Sequence, residues 1–289
     1  MTDLDMPTAI GDLSLSDCRG RIITNAVTGM TMTARFQVRA GCLALLLALA
    51  PLHAAGEAPP RPVTLTIGPE TTYVDGPVRP DGTIDYGAAV LARCGQGVTP
   101  DNNAATLLLK AFGARFVAAD RADAALRLTG LKAMPEAGST MEGLTDHAIR
   151  HAGKGDEAVE NRARIQLLEA MKGPWAAADL PLVAAWLADN GKPLALVAEA
   201  AKRARFFFLL EPSDTNIVVR LPDFGPLLDV DRALFCRAML KLNDADVDGA
   251  LADLMTLHRL GRLVAGGGTL IECLVGVSLD DLAAVGDQR

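Results

Sequence analysis

Apolar positions follow a helical period most clearly between residues 230 and 286. Leu234, Phe235, Ala238, Met239 and Leu242 form one stripe, and Val247, Leu251, Leu254, His258 and Gly261 form the next. Gly266-Gly267-Gly268 then makes a turn. Thr269 and Glu272 have the spacing of a capping box, which predicts the start of a third helix. The turns between these stripes are short, so successive helices are expected to run antiparallel.

In the first pair, Leu234, Ala238, Ala250 and Leu254 match the apolar and small positions of a tetratricopeptide (TPR) hairpin. Small residues there let two helices approach closely. Only one unit matches, and Arg262 stands where the closing proline of such a unit is usual. The pair is therefore TPR-like and not an array.

Weaker helical patterns precede it. Thr99-Pro100-Asp101 has the chemistry of a helix start, with Thr as cap and Pro at the first helical position. This predicts a helix to about Phe112, stopped by Gly113. A second is expected over Ala118–Leu128. Pro135–Gly155 reads as polar loop with a weak helix. Asn161–Met171 reads as helix, ended by Gly173-Pro174. Asp179 is expected to cap a helix through Trp186 and Leu187, and Pro193 to begin the next, through Lys202.

Lys202-Arg203-Ala204-Arg205 reads as cations at a helix C-terminus, followed by a buried Phe206-Phe207-Phe208 segment. Leu210–Asp229 contains three prolines and is expected to be a long connection. Asp75-Gly76-Pro77 and Pro80-Asp81-Gly82 flank short β-prone pieces, which predicts a small hairpin. The fold class is all-α. Stacked antiparallel helix hairpins form a TPR-like superhelix or bundle, with a small N-terminal extended or hairpin segment.

The first 70 residues read differently. Arg35 and Arg39 precede an apolar run, Gly41–Leu52, and small residues follow at Ala54, Ala55 and Gly56. This is the layout of a secretory signal peptide, assigned to residues 32–55. The run is too short to span a bilayer. Residues 1–31 carry Asp3, Asp5, Asp12 and Asp17 without hydrophobic periodicity, and read as a prefix ahead of a start at Met30 or Met32. Residues 56–70 form a proline-rich tether, and 71–289 a single helical domain. The expected location is the periplasm or the extracellular space, with membrane contact only through the signal.

Composition narrows the partners. Half of the 289 residues are apolar but only 4% are aromatic, so Ala, Leu and Val must build the core. The net charge of −7 argues against nucleic acid, whose phosphates require an excess of Lys and Arg. No P-loop, dinucleotide-binding glycine fingerprint or nucleophile elbow is present, and no cofactor is assigned.

Two clusters bear on metal chemistry. His147 and His151 lie four apart, so a helix would place both on one face, with Asp146 and Glu142 nearby. The plain alternative is two solvated histidines on a loop. Asp244, Asp246 and Asp248, followed by Gly249, match the first half of an EF-hand calcium loop. Met255 occupies the position of the closing glutamate, so the alternative is an acidic turn that caps the next helix. His258 reads as a core-edge histidine. Cys94, Cys236 and Cys273 read as buried thiols without a neighbouring base, and their redox state is left open. Trp175 and Trp186 are assigned to the core ahead of a binding groove.

Several stretches together resemble a group of uncharacterised exported proteins of planctomycete-type bacteria. They are Pro80-Asp81-Gly82-Thr83-Ile84-Asp85-Tyr86, Gly97–Ala104, Gly173-Pro174-Trp175, Trp186–Val197, and Asp246–Ala250 with Asp253-Leu254. The resemblance covers roughly residues 70–280. It implies a secreted, mainly helical protein and carries over no catalytic residue. It also implies that the chain continues past Asp287-Gln288-Arg289, leaving an apolar helix face uncovered. The functional expectation is an exported helical scaffold that binds a protein or small ligand on a concave face. The alternative is an exported metal-dependent hydrolase using Asp146, His147 and His151.

Overall fold

The computed structural model describes residues 68, 71, 73–153, 155–208, 212–213, 216–219 and 222–289. The prefix, the signal segment and nearly all of the tether lie outside the described residues. Among those described there are ten α-helices, and the fold is all-α. None of these helices is long and apolar enough to cross a membrane.

The expected small hairpin is present at the front. Val78 and Ile84 form an antiparallel bridge, and Asp81 holds the turn by accepting from the Thr83 amide and hydroxyl. Asp85 then caps α1 (Tyr86–Cys94) through the Ala88 amide.

α2 (Ala104–Phe112) begins later than the sequence predicts. Thr99-Pro100-Asp101 forms a turn, and the cap is Asn103. Its Oδ1 accepts from the Ala105 amide at 3.1 Å and also from the Phe207 amide at 3.1 Å, while its Nδ2 donates to the Phe207 carbonyl at 2.8 Å. A residue about a hundred positions away thus shares the cap, which no local pattern records. Phe206, Phe207 and Phe208 are buried as expected, and Phe208 packs on Phe116.

α3 (Ala122–Thr129) follows two single 3₁₀ turns. Within the stretch read as loop with a weak helix, α4 (Leu144–Ala152) is a regular helix with Gly143 as N-cap and Gly153 in the left-handed conformation at its end. α5 (Glu157–Ala170) starts four residues before Asn161 because Asp156 caps it through the Val159 amide.

Asp179 does not cap α6 (Pro181–Asp189). The Gln166 side chain of α5 accepts the Leu182 amide instead. α7 (Gly191–Ala200) follows directly. The expected connection at 210–229 holds a short antiparallel pair, β1 (Pro212–Ser213) and β2 (Asn216–Val219), and ends early, where α8 (Gly225–Asn243) starts with Pro226 in its first turn.

α8, α9 (Val247–Ala265) and α10 (Leu270–Gly286) form the predicted antiparallel set. Leu234, Ala238, Ala250 and Leu254 are all buried, with Leu254 packed on Gly286 of α10. Asp253 is buried too. It accepts from Arg237 at 2.6 and 2.9 Å and from Lys241 at 2.8 Å, so its charge is paired and hydrogen-bonded. The capping box of Thr269 and Glu272 starts α10.

One contiguous core joins α2, α6, α7 and α8 to α9 and α10. Alanine, leucine and valine dominate it, with Phe112, Phe116, Phe208 and Trp186 as its large members.

Candidate functional site

α4 makes His147 and His151 neighbours one turn apart. Their ring centroids are 4.3 Å apart. They are not two solvated histidines: His147 is 1% exposed, while His151 stays open to solvent.

The third member comes from α6. Asp189 is its last residue, and its Oδ2 lies 3.0 Å from His147 Nε2 and 3.3 Å from His151 Nε2. Arg150 Nη2 also reaches it, at 3.4 Å. These bonds, led by that from His147, hold the Asp189 carboxyl below its ordinary range. A negative charge in the last turn of a helix opposes the macrodipole. The cationic and imidazole groups of α4 offset that cost. The misplaced charge was the available signal for Asp189, and the reading of the sequence missed it.

Backbone clamps fix the distance between α4 and α6. Trp186 Nε1 donates to the Glu142 carbonyl at 2.7 Å, and Asn190 Oδ1 accepts from the Glu142 amide at 2.9 Å. Trp186 and Trp175 are both buried, the latter donating to the Cys236 carbonyl, so both belong to the core as expected. The Glu142 carboxylate holds Arg150 through contacts of 2.8–3.1 Å.

Asp146, the carboxylate the sequence assigned to the pair, is not with them. It is exposed, next to His147 in the chain but round the helix from it. Asp189 takes that place.

Two clefts of about 710 Å³ each flank this end of α4. One is walled by Arg115, Glu142, Asp146, Arg150, Asp189 and Asn190. The other lies toward Glu160, Arg164, Asp229 and Arg232, and Arg115 and Asp146 border both. Arg115 is fixed between them by Asp229 Oδ2 at 2.6 Å and the Met141 carbonyl at 3.1 Å.

The aspartates of the calcium pattern do not assemble. Asp246 caps α9 through the Gly249 amide at 3.0 Å, Asp244 is the C-cap of α8, and Asp248 lies in the first turn of α9. Among the described residues, His147, His151 and Asp189 are the only such group whose potential ligand atoms converge, all within 4.8 Å of one another.

The remaining titratable candidates are structural in geometry. His258 lies between Asp280 at 2.6 Å and Asp287 at 3.0 Å, bonds that raise its basicity. Cys94, Cys236 and Cys273 are free thiols, and burial pushes Cys236 up to about 12, where it is no nucleophile. Asp231 is buried with one oxygen unbonded, and desolvation raises it to about 7.

The site and fold define an all-α protein with a histidine–aspartate cluster at the edge of a charged cleft. No family model, curated protein or solved structure matches the chain.

Proposed function

We propose that the protein is an exported helical scaffold that docks the amphipathic helix of a partner protein on the outer face of α10. The observation that carries this reading is a run of exposed apolar side chains. Leu270, Ile271, Leu274 and Val277 are 74%, 50%, 60% and 56% exposed. Contiguous apolar surface of this kind marks an interaction site on a folded protein.

The chemistry of the occupant follows from the stack itself. α8, α9 and α10 bury one another through aliphatic and small residues, and the outer face of α10 offers the next helix the same surface. α10 has no Lys or Arg. Of its three carboxylates, Glu272 is buried in the capping box and Asp280 is bound by His258, which leaves Asp281 exposed, one turn on from Val277. An amphipathic helix whose apolar stripe is flanked by Lys and Arg is its complement. The TPR-like spacing of Leu234, Ala238, Ala250 and Leu254 in the sequence supports a scaffold role. Export rests on the signal pattern of residues 32–55 and on the resemblance to exported proteins.

The test uses a labelled synthetic helix of about 18 residues with Leu at i, i+3, i+4 and i+7 and Lys on its flanks. Anisotropy is expected to show saturable binding that weakens at least tenfold in Leu274→Asp and is absent for a peptide with the leucines scrambled. Equal binding by the variant overturns the reading. So does sedimentation showing that this face pairs two copies of the chain.

A second reading, an exported metal-dependent hydrolase, is favoured by one observation: His147, His151 and Asp189 converge beside a cleft.

A further inference from the structure

We infer that His147, His151 and Asp189 form a binding site for a single divalent transition-metal ion of the zinc class. This inference is independent of the docking face on α10.

The spacing fits such an ion. With metal–ligand bonds of about 2.0–2.1 Å in a tetrahedron, neighbouring ligand atoms stand about 3.3–3.4 Å apart. Asp189 Oδ2 lies 3.0 Å from His147 Nε2 and 3.3 Å from His151 Nε2, and all three ligand atoms lie within 4.8 Å of one another, so side-chain rotation can bring the group to that geometry. Two imidazoles and one carboxylate suit zinc and its neighbours in the transition series. Calcium and magnesium prefer oxygen alone.

The supports are rigid where a site needs rigidity. His147 is buried and held by packing. Asp189 ends a helix that is pinned to Glu142 through Trp186 and Asn190. A carboxylate at the negative end of a helix gains from a cation there, and a divalent ion is a stronger one than Arg150 at 3.4 Å. Arg150 need not travel far to make way, because Glu142 already holds it by three shorter contacts. Asp189 lines the cleft, and that space can supply water or a small ligand as a fourth ligand.

One feature sets the strength. His147 Nδ1 is buried without a hydrogen-bond partner. In tight zinc sites that nitrogen donates to a carboxylate or carbonyl, which holds the tautomer that binds metal. Here burial alone orients the ring, so binding in the micromolar range is expected, not the tightness of a structural zinc site.

The experiment is zinc titration of the full, chelator-stripped chain by calorimetry, with cobalt(II) absorption as a second readout. One zinc per chain is expected, and a cobalt spectrum of tetrahedral character. His151→Ala and Asp189→Asn alter exposed side chains, so they keep the fold and are expected to weaken zinc at least tenfold. Circular dichroism checks that they remain folded. Asp146→Asn and Asp246→Asn are expected to bind as the unaltered protein does. Arg150→Ala, which removes a cation facing Asp189, is expected to bind zinc more tightly. Absence of zinc binding by the unaltered chain overturns the site, as does binding undiminished in His151→Ala and Asp189→Asn. Loss in Asp146→Asn alone would transfer the site to the carboxylate that the structure places apart.

Discussion

Gly261 of α9 faces Gly276 of α10 with backbone against backbone. A Cβ on Gly261 would stand 2.7 Å from the Gly276 carbonyl oxygen, inside any real contact distance. The last two helices therefore pack as closely as they do only because neither position has a side chain. Alanine at Gly276 would gain about 1 kcal/mol of helix propensity. It is expected to lose more than that by overpacking, for a net destabilisation of about 1–3 kcal/mol. Valine is expected to be worse. Denaturant unfolding of Gly276→Ala and Gly276→Val measures both, and a stabilised alanine variant would show that the helices can separate at no cost.

Asn103 does two things with one amide. It caps α2 and hydrogen-bonds both the amide and the carbonyl of Phe207. Replacing it by alanine removes the cap and leaves buried backbone groups unpaired. The expected loss is about 2–4 kcal/mol. Asn103→Asp restores the cap but cannot donate to the Phe207 carbonyl, so it is expected to fall between the two. Chemical denaturation of the three proteins gives the order.

Asp231 makes stability depend on pH in a defined direction. Its folded pKa, about 7, lies above the ordinary carboxylate value because burial disfavours the charged form. From about pH 4 to 7 the folded state holds a proton that the unfolded state has released. Stability therefore falls as pH rises through this window, and the full loss is reached above the folded pKa. His258, whose basicity is raised by Asp280 and then Asp287, acts in the same direction, since its contribution is present at low pH and lost as pH rises through its folded value. Comparing Asp231→Asn with the unaltered protein separates the two. At pH 8 the variant is expected to be more stable by about 4 kcal/mol, and at pH 4 nearly equal. Thermal unfolding at the two pH values decides, and an equal difference at both would remove Asp231 as the source.

The helices legible in the sequence were those whose signals are local. The stripe of α8 and the capping box of Thr269 and Glu272 need only a few consecutive residues, and the structure has them where the pattern placed them. α9 is a helix as predicted, but Val247 and Leu251 of its stripe are exposed and the buried face runs through Ala250, Leu254, Leu257 and Leu260. The elements that differ have partners from elsewhere in the chain. Thr99 gave way to Asn103 because Phe207 shares the cap. Asp179 gave way to Gln166, which reaches the Leu182 amide from α5. α4 reads only as a weak helix because polar residues fill it and glycines bound it, and it is held by clamps from α6 to the Glu142 backbone.

The candidate site divides along the same line. The spacing of His147 and His151 is a property of the sequence, because four residues are about one helical turn. Their carboxylate is not, since Asp189 is brought to them by the packing of α6 on α4 and Asp146 is turned away by the same helix that aligns the histidines. The sequence alone determined the all-α class, the aliphatic core and the paired histidines, because propensity, composition and helical period act over short stretches of chain. Only the tertiary structure decided which carboxylate joins them, which residue caps α2 and how closely α9 meets α10. Those are contacts between residues far apart in the chain, and no local pattern encodes them.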